Sequence, residues 1–360
     1  MKRTFLCMLA VGLVLPIMAQ IRGKIDIPHL SGYVTLKCDF HIHTVFSDGN
    51  VWPTVRIAEA YREGLDAISI TDHIEYRPHN ADIKASHNRS FEIAEPVAKA
   101  AGIMLIKGSE ITRAMPPGHH NAIFLTDSEP LDQSDYMDAF RAALKQNAFI
   151  FWNHPGWDAQ QPDTTLWFPE QTKLLEQGMM MGIEVVNGNE YFPEAHQWCL
   201  EKKLTMLGNS DVHDPIQAQY NFAAGGHRTM TLVFAREASA QGIKEALQER
   251  RTAVYCGEQL IGEARYLKEL FEHALDIKVE KVNNTSVRVT IKNNSDLVFR
   301  LKKTQHDARL VYFRDYTIAP KGQHTISVRL QDGVQGGAMN FRVENLLVQP
   351  NQGMDYTITI

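Results

Sequence analysis

The 360-residue chain is poor in cysteine: it has four, and only Cys38, Cys199 and Cys256 remain beyond the apolar start. An odd, widely separated set excludes a disulfide framework. A basic excess is also missing. Against 37 Lys and Arg stand 42 Asp and Glu, a net charge of −5, which removes the electrostatic footprint of a protein that binds nucleic-acid polymers. Small phosphorylated molecules stay open as partners. Repeats and low-complexity tracts are lacking, and past residue 20 no apolar run approaches the roughly 20 residues that span a bilayer. Stable membrane insertion is not expected, and nothing indicates an oligomeric state.

What is present begins with "MKRTFLCMLAVGLVLPIMAQ", residues 1–20, where Lys2 and Arg3 precede a short apolar run that ends in small residues. This is the layout of a secretory leader. It predicts removal near residue 20 and an exported protein, periplasmic or secreted. The competing reading, an uncleaved anchor, asks for a longer run than is there.

From residue 36 to about 255, β-branched or apolar runs alternate with amphipathic helical stretches such as "PTVRIAEAYREG" and "FPEAHQWCLEKK". That alternation predicts an α/β fold with a parallel sheet. Seven units suggest a barrel, with "HHNAIFL" as an additional strand beside the third. After the helical stretch "IGEARYLKELFEHAL", segments from "DIKVEKV" to "DYTITI" alternate apolar and polar residues between Asn- and Gly-rich turns. They predict a small antiparallel β-sandwich over 273–360, following an α/β domain over 21–272.

The titratable residues fall at predicted strand ends. In "CDFHIHTVFSDGN" His41 and His43 are two apart, which puts both side chains on one face of a strand, and Asp48 follows. A lone His-x-His is equally well a core histidine beside a turn residue, so the rest of the chain decides. "ITDH" ends the second strand with Asp72 and His73, "GSEIT" the third with Glu110, and "GHHN" supplies His119 and His120. His154 stands in "NHPG", and Asp211 and His213 in "GNSDVH". The C-terminal ends of strands are where barrel enzymes assemble their sites. Imidazole mixed with carboxylate suits Mn, Zn or Fe, whereas Ca and Mg favour oxygen-only sets. Two or three divalent ions sharing a carboxylate would use about ten candidates most economically.

Five motifs in this order and spacing resemble those of the polymerase and histidinol phosphatase (PHP) family of metal-dependent phosphoesterases, over about residues 34 to 255. The resemblance implies a distorted seven-stranded βα barrel with up to three metals at its C-terminal face. It implies one metal on His41, His43, Glu110 and Asp211, and a second bridged by Glu110 and held by His154 with either His119 or His120. A third would sit among Asp48, His73 and His213. Of the adjacent pair, His119, directly after Gly118, is preferred.

The expected chemistry is attack by a metal-activated water on a phosphate ester, phosphodiester slightly ahead of monoester because an exported enzyme meets scavenged diesters. Asp211 or His213 would shuttle the proton beside Glu110. Asn153, Asn187, Arg77, Arg113 and Arg228 are candidates to contact the phosphate. Asp72 either orients His73 or caps the following turn. The competing functions are hydrolysis of a carboxylic ester or amide, and a non-catalytic binding module on the same scaffold.

Overall fold

A computed structural model describes residues 21–360; the expected leader lies outside the described residues. The first half of the chain supplies β1 (Val34–Asp39), α1 (Pro53–Glu63), β2 (Ala67–Ile70), α2 (Arg89–Ala101), β3 (Met104–Ile111), β4 (His120–Ile123), α3 (Tyr136–Lys145) and β5 (Phe149–Trp152). There follow α4 (Pro169–Glu176), β6 (Gly182–Asn187), β7 (Glu190–Tyr191), α5 (Pro193–Lys202), β8 (Thr205–Asn209), α6 (Ile216–Gln219) and β9 (Met230–Ala235). Then α7 (Ala240–Gln248), β10 (Thr252–Cys256), β11 (Gln259–Gly262) and α8 (Ala264–Ala274) close the N-terminal domain. Prolines open α1, α4 and α5, where a missing N–H costs nothing and the fixed φ suits the first turn.

Neighbouring strands run in the order β9, β1, β2, β3, β4, β5, β6, with β8 also paired to β6. Pairs β1–β2, β2–β3, β5–β6 and β6–β8 are parallel. The expected parallel sheet also holds antiparallel strands, among them β4, β7, β9 and β10. β4 is antiparallel to both neighbours, because the link from β3 contains no helix and simply returns. β9 is antiparallel to β1, since the link from β8 holds only α6, a single turn, and a 3-10 turn at Phe222–Ala224, neither long enough to carry the chain back across the sheet. The sheet curls enough for Leu36, Cys38, Ala67, Ile106, Phe149 and Leu207 to share one buried cluster. Between β8 and β9 the contact is made by the Thr231 side chain, whose Oγ1 accepts from Gly208 N at 3.0 Å and donates to Gly208 O at 2.9 Å. A Cβ on Gly208 would lie 2.2 Å from Val254 Cγ1, so β10 packs against bare backbone there.

The C-terminal domain holds β12 (Leu275–Asn283), β13 (Ser286–Asn293), β14 (Phe299–Lys303), β15 (Leu310–Val311), β16 (Asp315–Ile318), β17 (Gln323–Leu330), β18 (Ala338–Gln349) and β19 (Gln352–Thr359). One sheet runs β12, β13, β17, β15. The other, β16, β14, β18 with β19, continues into the N-terminal domain through a parallel pairing of β18 with β11. Alternating burial along β13 and β17 marks the core-facing side of the first sheet.

Candidate metal centre

Past β1 the chain stays extended. His43 N donates to Val212 O at 3.1 Å and Asp211 N to His41 O at 2.9 Å, so residues 40–43 continue the strand beside 211–213. Phe40 and Ile42 turn into the core, and His41 and His43 share the opposite face with ring centroids 5.0 Å apart. His73, just past β2, bridges to Glu110 on β3. His154 and Asp211 follow β5 and β8 with φ of 27° and 50°, a strained conformation for residues with a Cβ. Both bends turn the side chain inward.

Asp48 sits on the loop after His43, which Asp72 ties down: its carboxylate accepts from Thr44 N at 2.7 Å and from Ser47 Oγ at 2.8 Å. Asp72 therefore shapes the Asp48 loop and makes no hydrogen bond to His73. Buried Arg56 donates to the carbonyls of His43, Val212, His213 and Asp214, joining the loops that carry His43, Asp48 and His213.

Nine of the ten metal-ligand candidates converge. Ligand atoms of His43, Asp48, His73 and His213 lie within 4.8 Å of one another, as do those of His41, His43 and Asp211, of His41, Glu110 and His154, and of His73, Glu110 and His119. Glu110 faces two sets. Its Oε2 is 3.2 Å from His41 Nε2, 3.3 Å from His43 Nε2 and 3.1 Å from His73 Nδ1, while Oε1 is 2.9 Å from His119 Nδ1 and 3.8 Å from His154 Nε2. Asp211 Oδ1 stands 3.1 Å from His41 Nε2 and 3.0 Å from His43 Nε2.

The donor set fits divalent cations on two counts. His43 Nε2, His119 Nδ1, Asp48 Oδ1 and Asp211 Oδ1 are buried without a hydrogen-bond partner, although oppositely charged groups lie near them; they are aimed at shared space. Second, tautomers are fixed from behind. His41 Nδ1 is 2.9 Å from Glu184 Oε1 and His213 Nδ1 is 2.8 Å from Asp211 O, which places the proton on Nδ1 and leaves each Nε2 lone pair for a cation.

The electrostatics point the same way. Burial alone would push the Glu110 and Asp211 carboxyls up, yet the histidines around them hold both well below the ordinary range. Asp48 is likewise lowered against its burial, by His213 and His73. Burial would lower the His43 imidazole, but Asp211 and Glu110 raise it to about 10, and His41 and His154 are raised by the same carboxylates with Glu184. Three ionised carboxylates thus hold positive charge in a buried space.

The remaining candidates lie elsewhere. His120 is corrected out of the ligand set: His119, just before β4, and His120, its first residue, face opposite ways, and the His120 ring packs at 5.0 Å from Phe140 and 6.3 Å from Trp152. Burial there drives its pKa down to about 3. None of the arginines reaches the cleft. Arg228 is fully buried against Asp39 at 2.9 Å and Glu63 at 2.6 Å, Arg113 pairs with Glu75 at 2.8 Å, and Arg77 donates to the Phe46 and Ala85 carbonyls. Asn153 turns to Glu110 Oε1 at 3.0 Å, so it orients that carboxylate instead of facing substrate. Asn187 lines the cleft and reaches Asp211 Oδ2 at 3.2 Å.

Sequence reasoning missed Glu184. Fully buried on β6, it holds His41, the His154 backbone N–H, Asn187 and Asn209. A lone Glu in the apolar run "GIEVVN" was the available signal, because a buried carboxylate needs partners.

Comparison with known proteins adds three findings. A family model described as an Ig-like domain matches residues 275–359. A crystal structure from Bacteroides vulgatus, described as a two-domain protein containing a predicted PHP-like metal-dependent phosphoesterase, is 59% identical; the alignment covers 95% of this chain and 99% of that one, with a TM-score of 0.94. A structure from Bifidobacterium adolescentis, put forward as a metal-dependent phosphoesterase, aligns with 49% of this chain and 87% of its own at 17% identity and a TM-score of 0.40, too distant to bear on fold or function. No curated protein matches the chain.

Proposed function

The chain belongs to the PHP-like metal-dependent phosphoesterase family, and on that premise we propose that it is an exported hydrolase of phosphate esters, diesters ahead of monoesters, working with two or three divalent ions. The observation that carries this reading is Glu110, whose two oxygens face separate groups of histidines across one cleft. Bound ions would supply an acidified water and a positive field for the phosphoryl oxygens. His41, His43 and Asp211 would hold one ion with Glu110, His119 and His154 a second, and Asp48, His73 and His213 a third. Mn, Zn and Fe all suit this set.

The chain's own groups have separable tasks. Glu184 and Asn153 orient His41 and Glu110 from behind. Asp211, with part of its carboxylate toward the cleft, and His213, about one-third exposed at the rim, are placed to hold or pass the proton released by the attacking water. Among the described residues lining the cleft there is no Lys or Arg. That favours a diester, which carries one negative charge, over a dianionic monoester. Export rests on Lys2, Arg3 and the apolar run after them, and a mature N-terminus near residue 20 by mass spectrometry is its test.

The decisive experiment compares wild type with Glu110→Ala, both metal-loaded, on a phosphate diester and a carboxylic ester. We expect the variant to lose at least about 100-fold in diester kcat, since metal activation of water is the main source of rate at neutral pH, while keeping wild-type circular dichroism. Equal diester activity in both proteins would overturn the mechanism. Wild-type activity on the carboxylic ester alone would transfer the assignment to ester or amide hydrolysis.

A further inference from the structure

The metal cleft, about 240 Å3, adjoins a second cavity of about 560 Å3 that shares Asp48, His73, His119 and Trp157 with it. The two differ in chemistry. The cleft is lined by seven of the nine proposed ligands, with Trp157, Asn187 and Glu190, while His41 and His43 lie buried behind it. The annex is completed by Tyr76, Thr112, Ala114, Met115, Ala159 and Gln160, a set without a formal charge.

Two aromatic rings border the annex while still open to solvent. Trp157 is 42% exposed and Tyr76 53%. Neither is adrift: the Trp157 ring lies 5.7 Å from His119 and 5.2 Å from His154, and Tyr76 meets His73 edge-on at 5.8 Å. Each is thus held beside residues that would carry the ions, with apolar surface left to cover. Aromatic faces favour planar partners in offset or edge-on geometry.

Charge narrows the occupant further. Among the described residues no Lys or Arg lines either cavity, so a second phosphate or a carboxylate on the substrate would find no counter-charge beyond the ions. Glu190, on the cleft and absent from the annex, adds negative charge on that side. An anionic group extending past the ions is disfavoured, and a neutral one is directed toward Tyr76 and Trp157.

We propose that this site selects esters of a single phosphoryl group that carry a planar, uncharged aromatic ring, with the phosphoryl at the ions and the ring against Tyr76 and Trp157. This deepens the phosphoesterase reading and rests on it. In the reaction, the oxygen of water bonds to phosphorus, the bond from phosphorus to the ester oxygen of the ring-bearing alcohol breaks, and that oxygen leaves with a proton. Tyr76 and Trp157 act on binding and take no part in bond making.

The test separates ring recognition from leaving-group reactivity. Methyl benzyl phosphate and methyl cyclohexylmethyl phosphate have the same charge, similar size and leaving alcohols of similar acidity, but only the first has a planar ring. The Mn-loaded wild type should favour the benzyl ester by roughly tenfold in kcat/KM, the scale of one aromatic contact. Tyr76→Ala and Trp157→Leu should each bring that preference to threefold or less, whereas Phe313→Ala, at an 84% exposed position on the C-terminal domain, should leave it intact. Calorimetry with benzylphosphonate and cyclohexylmethylphosphonate reports the same preference without turnover. Hydrolysis of both esters at equal rate, unchanged in the variants, would overturn the aromatic annex and leave the phosphoesterase reading standing. Preferential, Tyr76-dependent binding of benzylphosphonate with hydrolysis of neither ester would uphold the annex and overturn phosphoester hydrolysis. Neither binding nor hydrolysis would overturn both.

Discussion

At the scale of single residues, the pair His119 and His120 separates ligand from scaffold. The backbone entering β4 turns one imidazole to Glu110 and the other into an apolar pocket, so neighbouring identical residues should respond to opposite tests. His119→Ala should lose about one metal ion per chain by elemental analysis, since each ion needs about four donors. His120→Phe should lose none and should alter the acid response. His120 is held near 3 in the folded protein, against an ordinary histidine value of about 6.5, so between those values the unfolded chain binds a proton that the folded chain refuses. Stability from this group is complete above about pH 6.5 and falls as pH drops below it, by up to about 1.4 kcal/mol per pH unit. Urea midpoints at pH 7 and pH 5 should therefore differ less in His120→Phe than in wild type. An identical difference in the two proteins would show that His120 does not titrate on unfolding.

Elements explain how far sequence reading could reach. The motif residues were legible because a strand followed by a ligand repeats at β1, β2, β3, β5 and β8, and strand period fixes which neighbours share a face. The direction of β4 and β9 was not legible, since it depends on what the connecting segments do in space. Arg228 and Arg113 were misjudged for a related reason: a sequence shows an arginine's charge but not the carboxylate waiting for it, here Asp39 with Glu63, and Glu75. Between strand and site lie the loops, and the 44–49 loop can be tested as a unit. A Cβ on Gly49 would fall 2.7 Å from the His43 carbonyl carbon and Thr44 N, backbone atoms that Asp72 and Arg56 already hold in place. Gly49→Ala should therefore push Asp48 away from His73 and His213 and lower metal content by about one ion, with the two ions around Glu110 retained. A variant with full metal content would show that Asp48 is not needed as a ligand.

For the whole molecule, the question is what the C-terminal domain does for a site it does not touch. Two observations make it part of the catalytic domain's support. β18 extends the sheet at β11, with Leu260 opposite Leu346 and Ile261 opposite Leu347, and α8 buries Leu267, Leu270 and Phe271 in a cluster that includes Phe299, Phe341 and Met354. Phe271 meets Phe299 at 5.0 Å and Tyr356 at 4.8 Å. Ending the chain after residue 274 would leave the β11 edge unpaired and much of that helix face in water. At about 1.5–3 kcal/mol for each large side chain exposed, losing burial of three removes roughly 5–9 kcal/mol, comparable to the roughly 5–15 kcal/mol that keeps a typical domain folded. The truncated protein should thus aggregate, or melt at least 15 °C lower, although every proposed ligand is present in it. Substituting Leu346 and Leu347 with Ser in the full chain should produce a smaller fall in Tm while metal content at 25 °C stays near that of wild type. A truncated protein with unchanged Tm would show that the two domains are joined without depending on each other, and would leave the shared sheet with no role in stability.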